Sequence, residues 1–135
     1  MADALHSAAI HLLRRIRRED RASGIGPAQL SALSVLVFGG RMSLGDLAAA
    51  EQVRPPTMVR IVQALSQEGL ATAESDKEDR RKVVISATAR GRKLMLLARQ
   101  RRVRVLAGLI AGINRSEREQ LNDAVKVIRE LLSQE

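Results

Sequence analysis

The chain has 135 residues, with 23 Lys and Arg against 15 Asp and Glu, a formal net charge of +8. That length suits one domain of roughly 100 to 200 residues with a modest core, and the charge is equally compatible with a polyanionic partner (nucleic acid or an anionic membrane surface) and with a solvated basic surface. Cysteine is absent, which excludes disulfides, thiolate metal sites, cysteine nucleophiles and thiol redox sensing.

No apolar run reaches the roughly 18 residues that would span a bilayer, and the N-terminus lacks the order of a signal peptide. A cytoplasmic location with no membrane partner is therefore expected. Phe38 is the only aromatic residue, so recognition of single strands by stacking bases on exposed rings has little material, and a nucleic-acid partner would be a duplex.

In chain order, Leu5, Ala8, Ala9, Leu12, Leu13 and Ile16 fall at helical spacing while Arg14, Arg15, Arg17 and Arg18 occupy the other face, which predicts an amphipathic helix ending near Ser23 to Gly26. Pro27 suits a first helical turn. A second, more fully buried helix carrying Leu30, Leu33, Val35, Leu36, Val37 and Phe38 follows, stopped by Gly39 and Gly40. Ser43, with Asp46 three residues on, is an N-cap signal for a short third helix through Leu47 and Ala48. Pro55 and Pro56 then lead into Met58, Ile61, Val62 and Leu65, a fourth helix closed by Gly69.

Leu70–Glu74 and Val83–Ser86 have strand character, and the polar stretch from Ser75 to Lys82 between them reads as a projecting hairpin tip. Thr88 caps a long helix interrupted by the basic run Arg99 to Arg104. Ser116 and Glu119 stand at capping-box spacing ahead of a last helix bearing Leu121, Ala124, Val125, Ile128, Leu131 and Leu132. The whole is mainly α with a small β-hairpin wing. No repeat or linker divides it, so a single domain over 1–135 is expected, with a winged helix-turn-helix at about 30–88 and dimerisation helices at 4–22 and 89–134.

The middle of this order carries the functional expectation. A helix about 10 to 12 Å across fits the major groove, provided that a short neighbour holds it with its N-terminal side chains free. Leu44, Leu47, Ala48 and Val53 would supply the support, and Val59, Ile61, Val62 and Leu65 the inner face of the reader. Pro55, Pro56, Thr57, Met58 and Arg60 are then expected to face outward. Arg60 could donate to guanine or phosphate, Thr57 to either, and the apolar surfaces could touch thymine methyls. In the hairpin, Arg80 and Arg81 suit the electronegative minor groove. Asp76 and Asp79 read as internal partners of the wing backbone or of an arginine. The bland alternatives are a plain amphipathic helix and a solvated charged turn.

These residues resemble the MarR family of bacterial regulators across nearly the whole chain. The resemblance rests on the helix-turn-helix from Leu47 through Val53-Arg-Pro-Pro-Thr57 to Gly69-Leu70, on Asp76-Lys-Glu-Asp-Arg-Arg81, and on Ile85-Ser-Ala-Thr88-Ala-Arg-Gly91. It implies a homodimer whose N- and C-terminal helices interlock, setting two readers on a pseudopalindromic operator, with Arg81 in the minor groove and Asp79 orienting it. It also implies repression, and release by a small lipophilic or phenolic effector bound between the dimer helices and the reading domain. No particular ligand is indicated. Two residues depart from the family pattern: Arg54, where a capping serine is common and where a basic residue could instead meet a phosphate, and Glu78, where an arginine is common.

Independently of resemblance, Leu5, Leu12, Ile16, Leu121, Val125, Ile128 and Leu132 make more apolar stripe than a small winged domain can cover, which favours a two-fold interface over intrachain packing. His6 and His11 are five apart, a poor pair for one metal, and neither a metal nor another cofactor is expected. No Ser/His/Asp, GxSxG, phosphate-loop or HExxH pattern marks an enzyme. A non-catalytic dimeric scaffold, or a nucleoid-type DNA-binding protein without ligand sensing, is the competing expectation. The basic run Arg99 to Arg104 could face solvent, add to the field around DNA, or meet a membrane surface or protein.

Overall fold

The computed structural model describes residues 1–133. Residue 134, the expected limit of the C-terminal dimerisation helices, lies outside the described residues. The elements are α1 (Ala2–Arg17), a 3-10 turn (Arg18–Ser23), α2 (Pro27–Gly39), β1 (Met42–Ser43), α3 (Leu44–Ala50), α4 (Pro55–Gln67), β2 (Ala71–Ser75), β3 (Val83–Ala87), α5 (Ala89–Ala111) and α6 (Arg115–Leu132). They form two compact units, Met1–Arg102 and Val103–Glu135.

In the first unit α2, α3 and α4 enclose a core of leucines with Met58, Val62, Ile85, Met95 and Ala98. Burying each such large side chain contributes about 1.5 to 3 kcal/mol against leaving it in water. The sheet is antiparallel in the order β1-β3-β2, with Met42 opposite Ile85 and Ala73 opposite Ile85 on the other side. Side chains alternate along a strand: Ala71 and Ile85 reach the core, whereas Thr72 and Glu74 face water.

Two expectations are corrected in this unit. The sheet has a third strand, β1, whose two residues are too short to show any alternation in sequence. Phe38 is not part of the buried face of α2 but 59% exposed. The buried stripe runs through Leu30, Leu33 and Leu36, and two residues past Leu36 is about 200° around a helix. Because nearly every position from Ser34 to Phe38 is apolar, the inward phase could not be told from composition.

The joints are set by side-chain caps. Ser43 Oγ accepts the Asp46 N–H at 3.0 Å, opening α3. Gly69 closes α4 in the left-handed region, φ 69°, which glycine adopts at little cost. Thr88 Oγ1 donates to the Gly69 carbonyl at 2.6 Å and accepts the Gly91 N–H at 3.0 Å, so one side chain ends the α4 joint and starts α5.

In the second unit the cap of α6 is Asn114, not Ser116. Asn114 Oδ1 accepts the Glu117 N–H at 3.0 Å, and Glu117 Oε2 accepts the Asn114 N–H at 2.9 Å. Asn114 has the extended backbone an N-cap requires, while Ser116 already lies inside the helix. Glu119 pairs instead with Arg115, Nε to Oε1 3.0 Å. Arg118 donates to the carbonyls of Ala111 and Ile113, closing the end of α5.

Candidate nucleic-acid interface

The turn between α3 and α4 is short and hydrogen-bonded. Val53 N–H donates to the Ala48 carbonyl at 3.0 Å, and Gln52 N–H to Ala49 at 3.1 Å. Gln52 takes φ 55°, a left-handed conformation that costs a non-glycine residue about 1 to 2 kcal/mol. It is what lets the chain reverse within the turn, and nothing in the residue type announces it. Arg54 then flanks α4 with extended backbone and no side-chain cap, while Pro55 begins the helix, where its missing N–H is harmless.

On α4, Arg54, Pro55, Pro56, Thr57 and Arg60 are exposed. Met58 is the exception: expected outside, it is 0% exposed and belongs to the core, and Val59, expected inside, is 38% exposed. Each residue advances about 100° around a helix. The inward set Met58, Val62 and Leu65 therefore fixes the phase, and position 59 must turn away. The exposed face runs through Arg54, Pro55, Pro56, Thr57, Val59, Arg60 and Gln63.

The wing tip between β2 and β3 is held by its two aspartates. Asp76 Oδ1 accepts the N–H groups of Glu78 at 2.8 Å and Asp79 at 3.4 Å, and Asp79 Oδ1 accepts the Arg81 N–H at 3.1 Å. Asp76 N–H donates to the Lys82 carbonyl at 2.8 Å, and Lys82 N–H to Asp79 at 2.9 Å, closing the loop. The Glu78 and Asp79 N–H groups hold the Asp76 carboxyl below its ordinary 3.8 against an opposing desolvation, and the charges of Arg41 and Lys82 add a smaller lowering. Arg81 Nε stands 3.6 Å from Asp79 Oδ1, its side chain 96% exposed. Arg80 is also exposed. The tip thus offers two arginines to solvent while the carboxylates of Asp76 and Asp79 accept hydrogen bonds within the turn and Glu78 stays exposed.

A model of the MarR family matches residues 23–82, which span the helix-turn-helix and most of the wing. An uncharacterised helix-turn-helix transcriptional regulator of Mycobacterium bovis is 35% identical over 134 residues, covering 99% of this chain and 94% of the relative. This chain belongs to the MarR family. It is a transcriptional regulator with a DNA-binding winged helix. The fold agrees with that of a MarR family protein from Bacillus stearothermophilus, TM-score 0.84 at 20% identity, covering 98% of this chain and 92% of that one. It also agrees with a single-residue variant of MepR from Staphylococcus aureus solved with an oligodeoxyribonucleotide, TM-score 0.75 at 19% identity, covering 97% and 96%.

Among the described residues, no three His, Asp or Glu side chains come together as a metal site, and no single helix is long and apolar enough to cross a membrane. Three features of the first unit had no signal in the sequence: Arg41 beside the wing, the Ser31–Glu51 hydrogen bond and the Asp20–Arg102 ion pair. Each joins residues far apart along the chain.

Proposed function

We propose that the protein works in the cytoplasm as a homodimeric repressor that reads a pseudopalindromic duplex, one α4 helix per half-site. It carries out no catalysis. The observation that carries this is the conjunction of an exposed face, Pro55, Pro56, Thr57 and Arg60, with a hydrogen-bonded wing that projects Arg80 and Arg81.

In this reading Arg60 and Thr57 address base edges in the major groove, the two prolines contact thymine methyls, and Arg54 meets a phosphate. Met58 acts from inside, seating α4 on the core. Arg80 and Arg81 enter the adjacent minor groove, and Asp79 fixes the direction of Arg81 through its backbone and side chain. The dimer is supported by α1 and α6, neither of which buries a single residue although Leu5, Leu12, Leu121 and Val125 line them. Such apolar stripes are covered in a stable regulator, and a two-fold axis would match a palindrome. A single domain over 1–135, with dimerisation helices on either side of the winged helix, is the organisation this requires. A small lipophilic or phenolic effector would release DNA by binding better to one separation of the readers than to another.

The test is a gel shift of the full chain on its own upstream intergenic DNA at stated salt, against a scrambled duplex of equal length. Saturable binding that prefers the intergenic duplex supports the reading. Equal affinity for both, from a protein that light scattering finds dimeric, would favour a scaffold or nucleoid-type role.

A further inference from the structure

Gly40, at a positive φ of 84°, turns the chain from α2 into β1 and leaves Arg41 at the foot of the sheet, one residue before Met42. Side chains alternate along a strand, and residues directly opposite on antiparallel neighbours share a face. Met42, Ile85 and Ala73 stand across from one another, and Ile85 is buried, so theirs is the inner face. Ser43, Val84 and Glu74 make up the outer face, and Arg41, two residues before Ser43, belongs with them. The contacts agree with the register: Arg41, Glu74, Asp76, Glu78, Val84 and Ser86 line one hollow of about 330 Å³.

Charge makes this placement matter. From Ala71 to Ala87 the hairpin holds four acids, Glu74, Asp76, Glu78 and Asp79, and four bases, Lys77, Arg80, Arg81 and Lys82. It is formally neutral in a chain of net charge +8. Asp76 and Asp79 are engaged by N–H groups of the turn, whereas Glu74 and Glu78 are exposed. Arg41 is a cation brought to this acidic outer face from outside the hairpin. It works through space: its charge helps to keep Asp76 ionised while the Asp76 carboxylate holds its bonds to Glu78 and Asp79.

The hairpin needs such a hold. β1 pairs with β3 only through Met42 and Ser43, so from Val83 outward the wing is a two-stranded ribbon, and two strands alone are marginally stable in water. How firmly that ribbon is tied to the body then decides how well Arg80 and Arg81 keep their direction.

We propose that Arg41 is a positioning residue for the wing: its charge attracts the acids on the outer face of the hairpin and steadies the tip that carries Arg81 into the minor groove. This rests on the reading of the wing as the minor-groove arm.

The experiment is a double-substitution cycle on the full-length protein, read by fluorescence anisotropy on the upstream intergenic duplex at about 0.1 M salt, where surface charges are felt over about 10 Å. Arg41→Gln raises the DNA Kd by about twofold to fivefold, the size of an exposed charge interaction, and Arg41→Lys does not, because charge alone is required. Arg81→Ala costs less in the Arg41→Gln background than in the unaltered protein, since a contact that has already lost its direction has less to lose. Without DNA, the heteronuclear NOE of the Glu78 and Arg81 amides falls in Arg41→Gln and holds in Arg41→Lys. Strictly additive losses in the cycle, or tip amides unchanged by Arg41→Gln, overturn the positioning role and make Arg41 an independent phosphate contact. A loss in Arg81→Ala with none in Arg41→Gln overturns the positioning role alone, whereas binding untouched by Arg81→Ala overturns the wing reading together with it.

Discussion

Gly91, in the first turn of α5, lies so close to Leu70 that a β-carbon at position 91 would overlap the Leu70 carbonyl, and would also come within 3.1 Å of Leu33 Cδ1. The Leu70 carbonyl accepts the Thr88 N–H at 3.0 Å. The joint from α4 into β2 and the start of α5 are therefore packed together, with the backbone of Gly91 against the backbone of Leu70.

Gly91→Ala should accordingly destabilise the first unit by about 1 to 3 kcal/mol, the usual cost of forcing extra atoms into a packed site. Urea denaturation followed by circular dichroism would read this as a lower midpoint. An unchanged midpoint would mean that α5 can move off Leu70 freely.

Met58 and Arg60 are two residues apart and should fail in different ways. Met58→Ala removes a fully buried side chain and is expected to cost about 2 to 5 kcal/mol of stability. Arg60→Ala should leave the melting temperature alone, cost about 1 to 3 kcal/mol of DNA affinity and relax sequence choice at one position. Thermal melts paired with binding to a panel of single-base operator variants separate the two outcomes.

In the wing, Arg81→Ala is expected to weaken binding to many duplexes alike, since a narrow minor groove is read more by shape and potential than by base identity. Asp79→Ala should produce a smaller loss in the same direction. It removes the acceptor for the Arg81 N–H and frees a guanidinium that would otherwise be held. The measurement is anisotropy across several duplexes at fixed salt; a loss confined to one sequence would assign Arg81 to base reading instead.

The hydrogen bonds from Glu78 and Asp79 lower the pKa of Asp76, so the sign of its linkage is set. An acid whose folded pKa is depressed contributes stability that is complete above its unfolded pKa and lost as pH falls through the folded value. The wing turn should therefore be insensitive to pH from neutrality down to the ordinary aspartate range and loosen only below it. An NMR titration of the Glu78 amide would follow this, with a midpoint under 3.8 expected. A midpoint above that value would contradict the bonding described for the turn.

Much of this architecture was legible because its signals are local. The stripe Met58, Ile61, Val62, Leu65 marks a helix by period alone, and Ser43 with Asp46 marks a cap by spacing. The wing aspartates could be read as internal partners because the N–H groups that donate to them sit two or three residues away. Treating Pro55 to Met58 as one outward run failed because a linear segment at a helix start turns through most of a circle. The cap of α6 was misplaced because Asn114/Glu117 and Ser116/Glu119 offer the same spacing two residues apart, and only backbone conformation distinguishes them. The Ser31–Glu51 bond spans 20 residues and the Asp20–Arg102 bond 82. Contacts at such separations depend on how helices pack, which no local pattern encodes.

Hydroxyl-radical footprinting combined with guanine-methylation interference on the upstream operator tests the central claim most directly. A dimer reading with α4 and the wing predicts two clusters of major-groove interference separated by about one helical turn, 10 to 10.5 base pairs, or a multiple of it, each accompanied by minor-groove protection from a wing. The minor-groove protection should fade in Arg81→Ala while the major-groove clusters persist. A single unpaired cluster, or uniform protection with no interference at guanine, would contradict the account.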